Sequence, residues 1–332
     1  MSDYSKKLRV AAVQAEPVWN DLNGGVDKTI QLMREATEHG ADLVAFPEVW
    51  IPGYPWFLWL DSVAWQSQFQ LAYAQNSLDL EGPEYARIEE AARDLGIAVS
   101  LGFSERSGGS LYIAQAFVDA TGTTRTTRRK LKPTHVERTL FGEGDGSDIQ
   151  VVDTELGKVG QLACWEHLQP LTKYAMFAQN EQLHIAAWPS FSLFEGAVYA
   201  LGPEVNVGAS RQYAAEGQTF VVAPCGIVGE AGQSLVADTE LKKQFLQLGG
   251  GHARIFGPDG RSLAEPLPPT QEGIIYADID YSAILQAKNA ADPVGHYSRP
   301  DVFKVLFNKT KNPAIETQDS DIPADIEQLV EA

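Results

Sequence analysis

Apolar residues gather along the chain into short runs, and the stretches between several of them carry helical spacing. Residues 8–16 are rich in Val and Ala and predict a buried strand, after which Val26, Ile30, Met33 and Thr37 recur on one helix face. A second strand is predicted over residues 41–46, behind His39-Gly40. Pro83 then opens a helix whose buried stripe is Tyr85, Ile88, Ala92 and Leu95, and Gly96 stands where it stops. Strands follow over residues 97–103 and 111–119, with a Gly108-Gly109 turn between them. Past a basic stretch at residues 125–132 the order recurs: strand 159–164, helix 170–179, strand 184–188. Further strands are predicted over 219–223, 253–256 and 274–279, and a helix over 203–216. Strands alternating with helices predict an α/β layer fold, and no short-period repeat of solenoid type is present.

Composition narrows the function classes. With 26 Lys plus Arg against 44 Asp plus Glu the chain carries −18, a field that repels phosphate backbones and anionic lipid, so neither nucleic acid nor a membrane surface is an expected partner. The aromatic stretch 49–60 is broken by Pro52, Gly53 and Pro55 and is too short to span a bilayer. Two cysteines, Cys164 and Cys225, cannot build a disulfide framework, and the N-terminus runs into its first strand without a signal peptide. Both point to the cytoplasm. Residues 1–308 are expected to form one domain of this 332-residue chain, and 309–332, with Pro313, Pro323 and scattered acids, an acidic, loosely packed tail.

Two places carry chemistry. Phe46-Pro47-Glu48 and Ala163-Cys164-Trp165-Glu166 each put a reactive side chain where an apolar strand stops, which is where α/β sheets hold ligands. Cys164 can be a nucleophile there, or a small buried hydrophobe as most intracellular cysteines are. A thiol attacking an unsaturated carbon needs a base, and a cation for the charge that develops. Glu48, desolvated behind Ala45-Phe46-Pro47, suits the base; the local sequence also allows a helix or loop cap. The cation is sought at residues 125–132, where Lys130 and Lys132 share a face if the segment is extended, and spacing does not choose between them. A solvated basic surface would give the same stretch. His135, His167 and His296 lack the spacing of a zinc signature, so no metal is expected. His135 and His167 read as hydrogen-bonding supports near the site, His296 as part of a C-terminal contact, and Cys225 as a spectator.

Taken in order, these motifs resemble the nitrilase branch of the carbon-nitrogen hydrolase superfamily over nearly the whole chain. The resemblance runs from Val10-Ala11-Ala12-Val13-Gln14-Ala15 through Phe46-Pro47-Glu48, the segment 129–138 and Cys164-Trp165-Glu166-His167 to Asp292-Pro293-Val294-Gly295-His296-Tyr297. It implies an αββα sandwich, a triad of Glu48, Lys130 and Cys164, and Glu137 as a fourth polar residue that holds Lys130. The Arg129-Lys130 pair ahead of Thr134-His135 is what selects Lys130 over Lys132. Amidase and carbamoylase relatives usually carry an acidic residue and an arginine shortly after the cysteine, whereas Trp165-Glu166-His167-Leu168 follows here, which resembles nitrilases and cyanide-degrading enzymes. A nitrile is therefore the expected substrate, with an amidase or cyanide-hydrolysing activity as the alternative and a catalytically silent assembly protein as the alternative of another class. Trp165 and Trp188 are expected to flank the pocket. Tyr54 is a candidate substrate contact, and Trp56, Phe57, Trp59 and Trp65 weaker ones. The resemblance implies no cofactor, and a homo-oligomer built from dimers that can extend into a helical filament.

Overall fold

The computed structural model of the chain describes residues 3–313 and residue 315. Its strands are β1 (Lys7–Ala15), β2 (Leu43–Ala45), β3 (Ala98–Ser107), β4 (Ser110–Val118), β5 (Thr124–Arg129), β6 (Phe141–Gly142), β7 (Val151–Thr154), β8 (Gly157–Ala163), β9 (Leu183–Ala187), β10 (Phe220–Ala223), β11 (Cys225–Gly226), β12 (Arg254–Phe256) and β13 (Gly273–Asp280). One sheet runs β11-β1-β2-β3-β4-β5, with β13 beside β1 and β6 beside β4; the other runs β12-β10-β9-β8-β7. Strands β1, β2 and β3 are mutually parallel, as are β8, β9 and β10, while antiparallel strands flank each parallel core.

The two-residue period of the strands sorts their side chains into layers. Along β1, Val10 and Ala12 join Leu43, Ala45 and residues of the second sheet in one core, while Ala11 and Val13 join a second core with the helices. Helices α1 (Leu22–Glu38) and α3 (Pro83–Leu95) supply Val26, Met33, Tyr85, Ile88 and Ala92 to that outer core. The stripes read from the sequence are thus the buried faces, and Gly96 ends α3 in the left-handed conformation. Helices α4 (Pro170–Phe177) and α5 (Pro203–Gly217) cover the second sheet with Met176, Phe177, Tyr213 and Ala214. The layers run helix, sheet, sheet, helix, the expected αββα sandwich. Burying both faces of a strand such as β1 contributes about 1.5–3 kcal/mol for each large aliphatic side chain.

Among the described residues no helix is long and apolar enough to cross a membrane. Of the stretch 309–332, Lys309 donates to Gln179 Oε1 (3.0 Å) and the Asn312 N–H to Asp145 Oδ2 (2.7 Å). Residue 314 and residues 316–332 lie outside the described residues.

Candidate active site

The carboxyl ends of four strands converge. Past β2 the chain carries Glu48, past β5 Lys130, past β8 Cys164 and past β9 Trp188. The Glu48 loop lies against β3 at Gly102, where a β-carbon would stand 2.2 Å from the Pro47 carbonyl oxygen, so only glycine lets the loop pass. The Glu48 N–H donates to the Trp188 carbonyl (3.2 Å), which ties the ends of β2 and β9 together across the two sheets.

Cys164 opens a 3-10 turn (Cys164–Leu168) with φ +49°, a left-handed conformation rare for residues with a side chain and concentrated at functional sites. Glu166 holds that turn. Its carboxylate accepts from the Ala163 N–H (2.8 Å) and the Leu131 N–H (2.9 Å), and Arg128 grips both of its oxygens at 2.6 and 2.9 Å. Burial alone would raise the Glu166 carboxyl, but Arg128 and the two N–H donors outweigh it and hold the group below the usual range. One buried ion pair thus stitches the end of β8 to the end of β5, placing Lys130 and Cys164 on the same side.

Lys130, buried, lies 2.8 Å from Glu48 Oε1 and 2.9 Å from Glu137 Oε2. Glu137 also accepts from the Tyr54 hydroxyl (2.6 Å) and the Thr134 N–H (2.6 Å), so its oxygens are fully engaged. Glu48 Oε2 is buried with no hydrogen-bond partner among the described residues. Burial pushes the Glu48 carboxyl up to about 7; Lys130 draws it down and Glu137 adds to the rise. For Lys130 burial opposes the charge, yet Glu137 and Glu48 prevail and hold the ammonium well above the ordinary lysine range. Burial and the Glu48 charge raise Cys164, against the pull of Lys130 and a hydrogen bond from the Trp165 N–H. The group is therefore a thiol at rest.

Cys164 opens onto a small cavity walled by Tyr54, Trp56, Trp59, Trp165, Trp188 and Phe191, with Glu137 and Asn206 also on its surface. The Trp165 indole N–H is spent on Asn206 Oδ1 (2.9 Å) and that of Trp188 on Ser210 Oγ (2.8 Å). Trp56 and Trp59, weaker candidates from sequence, do reach the cavity. Phe57 and Trp65 pack on Phe69 instead.

Several expectations change. The basic stretch is a solvated surface only at Arg125 and Lys132: Arg128 pairs with Glu166 inside the protein and Arg129 with Glu105 (2.7 Å). Because β5 ends at Arg129, Lys132 lies beyond the extended segment, exposed and paired with Glu143. His167 is a buried support whose Nδ1 meets the Cys164 carbonyl at 2.7 Å. His135 is not: its ring is exposed and stacks on Trp59. His296 is exposed. Cys225 sits behind the cavity wall, its thiol donating to the Pro189 carbonyl (3.1 Å) and pushed by burial up to about 12. Asn206 and the Arg128–Glu166 pair were not singled out by sequence. Their partners lie 41 and 38 residues away, and no local pattern announces them. Among the described residues no group of three His, Cys, Asp or Glu side chains could hold a metal ion.

Comparison with known proteins gives a consistent picture. A family model described as carbon-nitrogen hydrolase matches residues 9–289. The chain is 58% identical over 308 residues to a protein named nitrilase from Pseudomonas syringae pv. syringae (strain B728a), covering 93% of this chain and 92% of that protein. It is 51% identical over 325 residues to an aliphatic nitrilase of Rhodococcus rhodochrous, covering 98% and 89%. Among solved structures, a carbon-nitrogen hydrolase from Helicobacter pylori G27 superposes with a TM-score of 0.71 at 17% identity, covering 89% of this chain and 97% of that one; it shares the fold.

Proposed function

This chain belongs to the carbon-nitrogen hydrolase family, and from that premise we infer that it is a nitrilase, converting an organic nitrile and two waters to a carboxylic acid and ammonia. The observation that carries the reading is a thiol at the wall of an aromatic cavity, felt electrostatically by a buried carboxylate–ammonium pair. High identity to relatives named nitrilase selects the substrate class. A nitrile is neutral and a weak hydrogen-bond partner, which suits an aromatic wall where the indole N–H groups of Trp59, Trp165 and Trp188 are already engaged and that of Trp56 has no partner among the described residues.

In the proposed sequence Glu48 takes the Cys164 proton on its free Oε2 as sulfur attacks the nitrile carbon. The Lys130 ammonium and the Trp165 N–H stabilise charge developing on nitrogen, and Glu48 passes the thiol's proton to that nitrogen, giving a covalent thioimidate and regenerating the carboxylate. Water activated by Glu48 adds to that carbon; both of its protons pass to nitrogen through Glu48, the carbon–nitrogen bond breaks, and ammonia departs to leave a thioester. A second water then releases the acid from the thioester and regenerates the thiol. Glu137 keeps Lys130 aimed at Glu48. Tyr54, Trp165 and Trp188 bound the substrate, with the Tyr54 hydroxyl committed to Glu137. No step calls for a cofactor.

A cytoplasmic setting belongs to the same reading, because a thiol nucleophile works only while reduced. So does a homo-oligomer of dimers or a longer filament. Ammonia and carboxylate release measured across a panel of nitriles, amides and cyanide tests the function. Turnover of nitriles with two products in equal amounts is expected, and activity confined to amides or to cyanide would overturn it.

A further inference from the structure

Behind the cysteine lies a group of buried titratable side chains that the reaction above does not use. Tyr213 on α5 donates its hydroxyl to Glu181 Oε2 (2.7 Å). Glu181 Oε1 lies 2.7 Å from His184 Nδ1, His184 Nε2 lies 2.9 Å from His167 Nε2, and His167 Nδ1 lies 2.7 Å from the Cys164 carbonyl oxygen. Gly160 in β8 leaves room for this arrangement, since a β-carbon there would stand 1.9 Å from Glu181 Oε1.

The direction of every bond follows from its end. A carbonyl oxygen can only accept, so His167 Nδ1 carries the hydrogen. A neutral His167 then offers a lone pair at Nε2, which His184 must meet with Nε2–H. A neutral His184 in turn offers a lone pair at Nδ1, which Glu181 can satisfy only as a carboxylic acid. Were Glu181 ionised with both rings neutral, two lone pairs would face each other at one link of the chain. Stacking of His184 on Tyr213 at 3.8 Å and of His167 on Trp188 at 5.2 Å fixes both rings.

The carbonyl that receives this chain belongs to the same planar peptide as the Trp165 N–H, and in a trans peptide the two point in opposite directions. Holding the carbonyl therefore aims the N–H, whose pull on the Cys164 sulfur favours the thiolate. We propose that Tyr213, Glu181, His184 and His167 form a one-way hydrogen-bond relay, with Glu181 as a neutral acid, that positions the Cys164–Trp165 peptide for charge stabilisation. These are positioning residues; none of the four lines the cavity. Burial pushes the Glu181 carboxyl up to about 8, with the Tyr213 hydroxyl drawing it down, and burial also disfavours charge on both imidazoles. Facing the relay from outside are Arg128 and Glu166, whose opposite charges act on His184 and Tyr213.

The inference rests on Cys164 being the nucleophile, and its test separates the two. Glu181→Gln presents an amide N–H to His184 and a carbonyl to Tyr213, as the neutral acid does; Glu181→Leu presents neither. With full-length protein and a nitrile substrate, kcat should fall by about tenfold to a hundredfold in Glu181→Leu with KM little changed, and stay within about twofold of the parent in Glu181→Gln. The parent should also lose activity as pH rises through about 8, and Glu181→Gln should not. Infrared difference spectra of parent minus Glu181→Gln at neutral pH should show the carbonyl stretch of a protonated carboxyl, whether or not any variant turns over. Absence of that band, or equal loss of kcat in the two variants, overturns the relay. If the parent itself hydrolyses no nitrile while the band is present, the functional reading fails instead.

Discussion

At the scale of single residues, the division of labour proposed for Glu48 and Lys130 sets what substitutions should do. Glu48→Gln keeps the shape but cannot accept a proton, so kcat/KM for a nitrile should fall by about 10²–10⁴-fold, the usual contribution of a positioned base. With the Glu48 carboxyl pushed up to about 7, the base is ionised only above that value. The acid limb of the parent pH–rate profile should accordingly fall as pH drops through about 7, and a limb that stays flat to pH 5 would exclude Glu48. Lys130→Met leaves two buried carboxylates facing each other without a cation, and denaturant unfolding should register a loss of about 3–5 kcal/mol along with the activity. Glu48 and Cys164 were legible because each follows an apolar run at a strand end, while Lys130 needed the neighbouring Arg129 and Thr134-His135 to be told from Lys132. Glu181 and His184 were not. His184 reads as an interruption of an apolar strand, and Tyr213, its stacking partner, sits on a helix 29 positions further on.

Elements carry the site through the way strand ends are tied. The Glu48 loop depends on the bare backbone of Gly102, so Gly102→Ala should destabilise the fold by about 1–3 kcal/mol in urea and lower kcat more than it raises KM. Unchanged kcat in that variant would mean that the loop position is not limiting. Most of the longer strands and helices were readable to within a few residues, α1 and α3 because each buries a regular stripe, whereas β6, β7, β11 and the helix Ser282–Ala291 were not predicted. Helix α2 (Val63–Gln75) escaped notice for a physical reason: it buries only Gln66 and Tyr73 while Val63 and Leu71 face outward, so no apolar period marks it. Strand β2 is three residues long where six were expected: residues 41 and 42 precede it, and Phe46 already belongs to the loop that carries Glu48.

Over the whole molecule, the same buried groups that serve the site shape the response to pH. Glu48 and Glu181, raised from 4.5 to about 7 and about 8, bind protons on folding, so their contribution is complete below about 4.5 and is lost as pH climbs through 7 and 8. His167 and His184 are lowered from 6.5, so theirs is complete above about 6.5 and is lost as pH falls through their folded values. The two pairs oppose each other between about 4.5 and 6.5. Thermal unfolding midpoints should thus be highest in that interval and decline from pH 6.5 to 8.5; a midpoint still rising across pH 7–8 would contradict neutral buried carboxyls. The layered fold itself was legible from the strand–helix alternation. The cavity was not, because its walls come from segments between residues 54 and 206 that only the closed sandwich brings together.

The central claim is that Cys164 bonds the substrate carbon. Rapid quenching during nitrile turnover, followed by peptide mass spectrometry, should find the mass of an acyl or imidoyl adduct on the peptide containing Cys164, and neither adduct nor turnover in a folded Cys164→Ala protein. Nitrile hydrolysis by Cys164→Ala at the parent rate, or adduct confined to another residue, would contradict it.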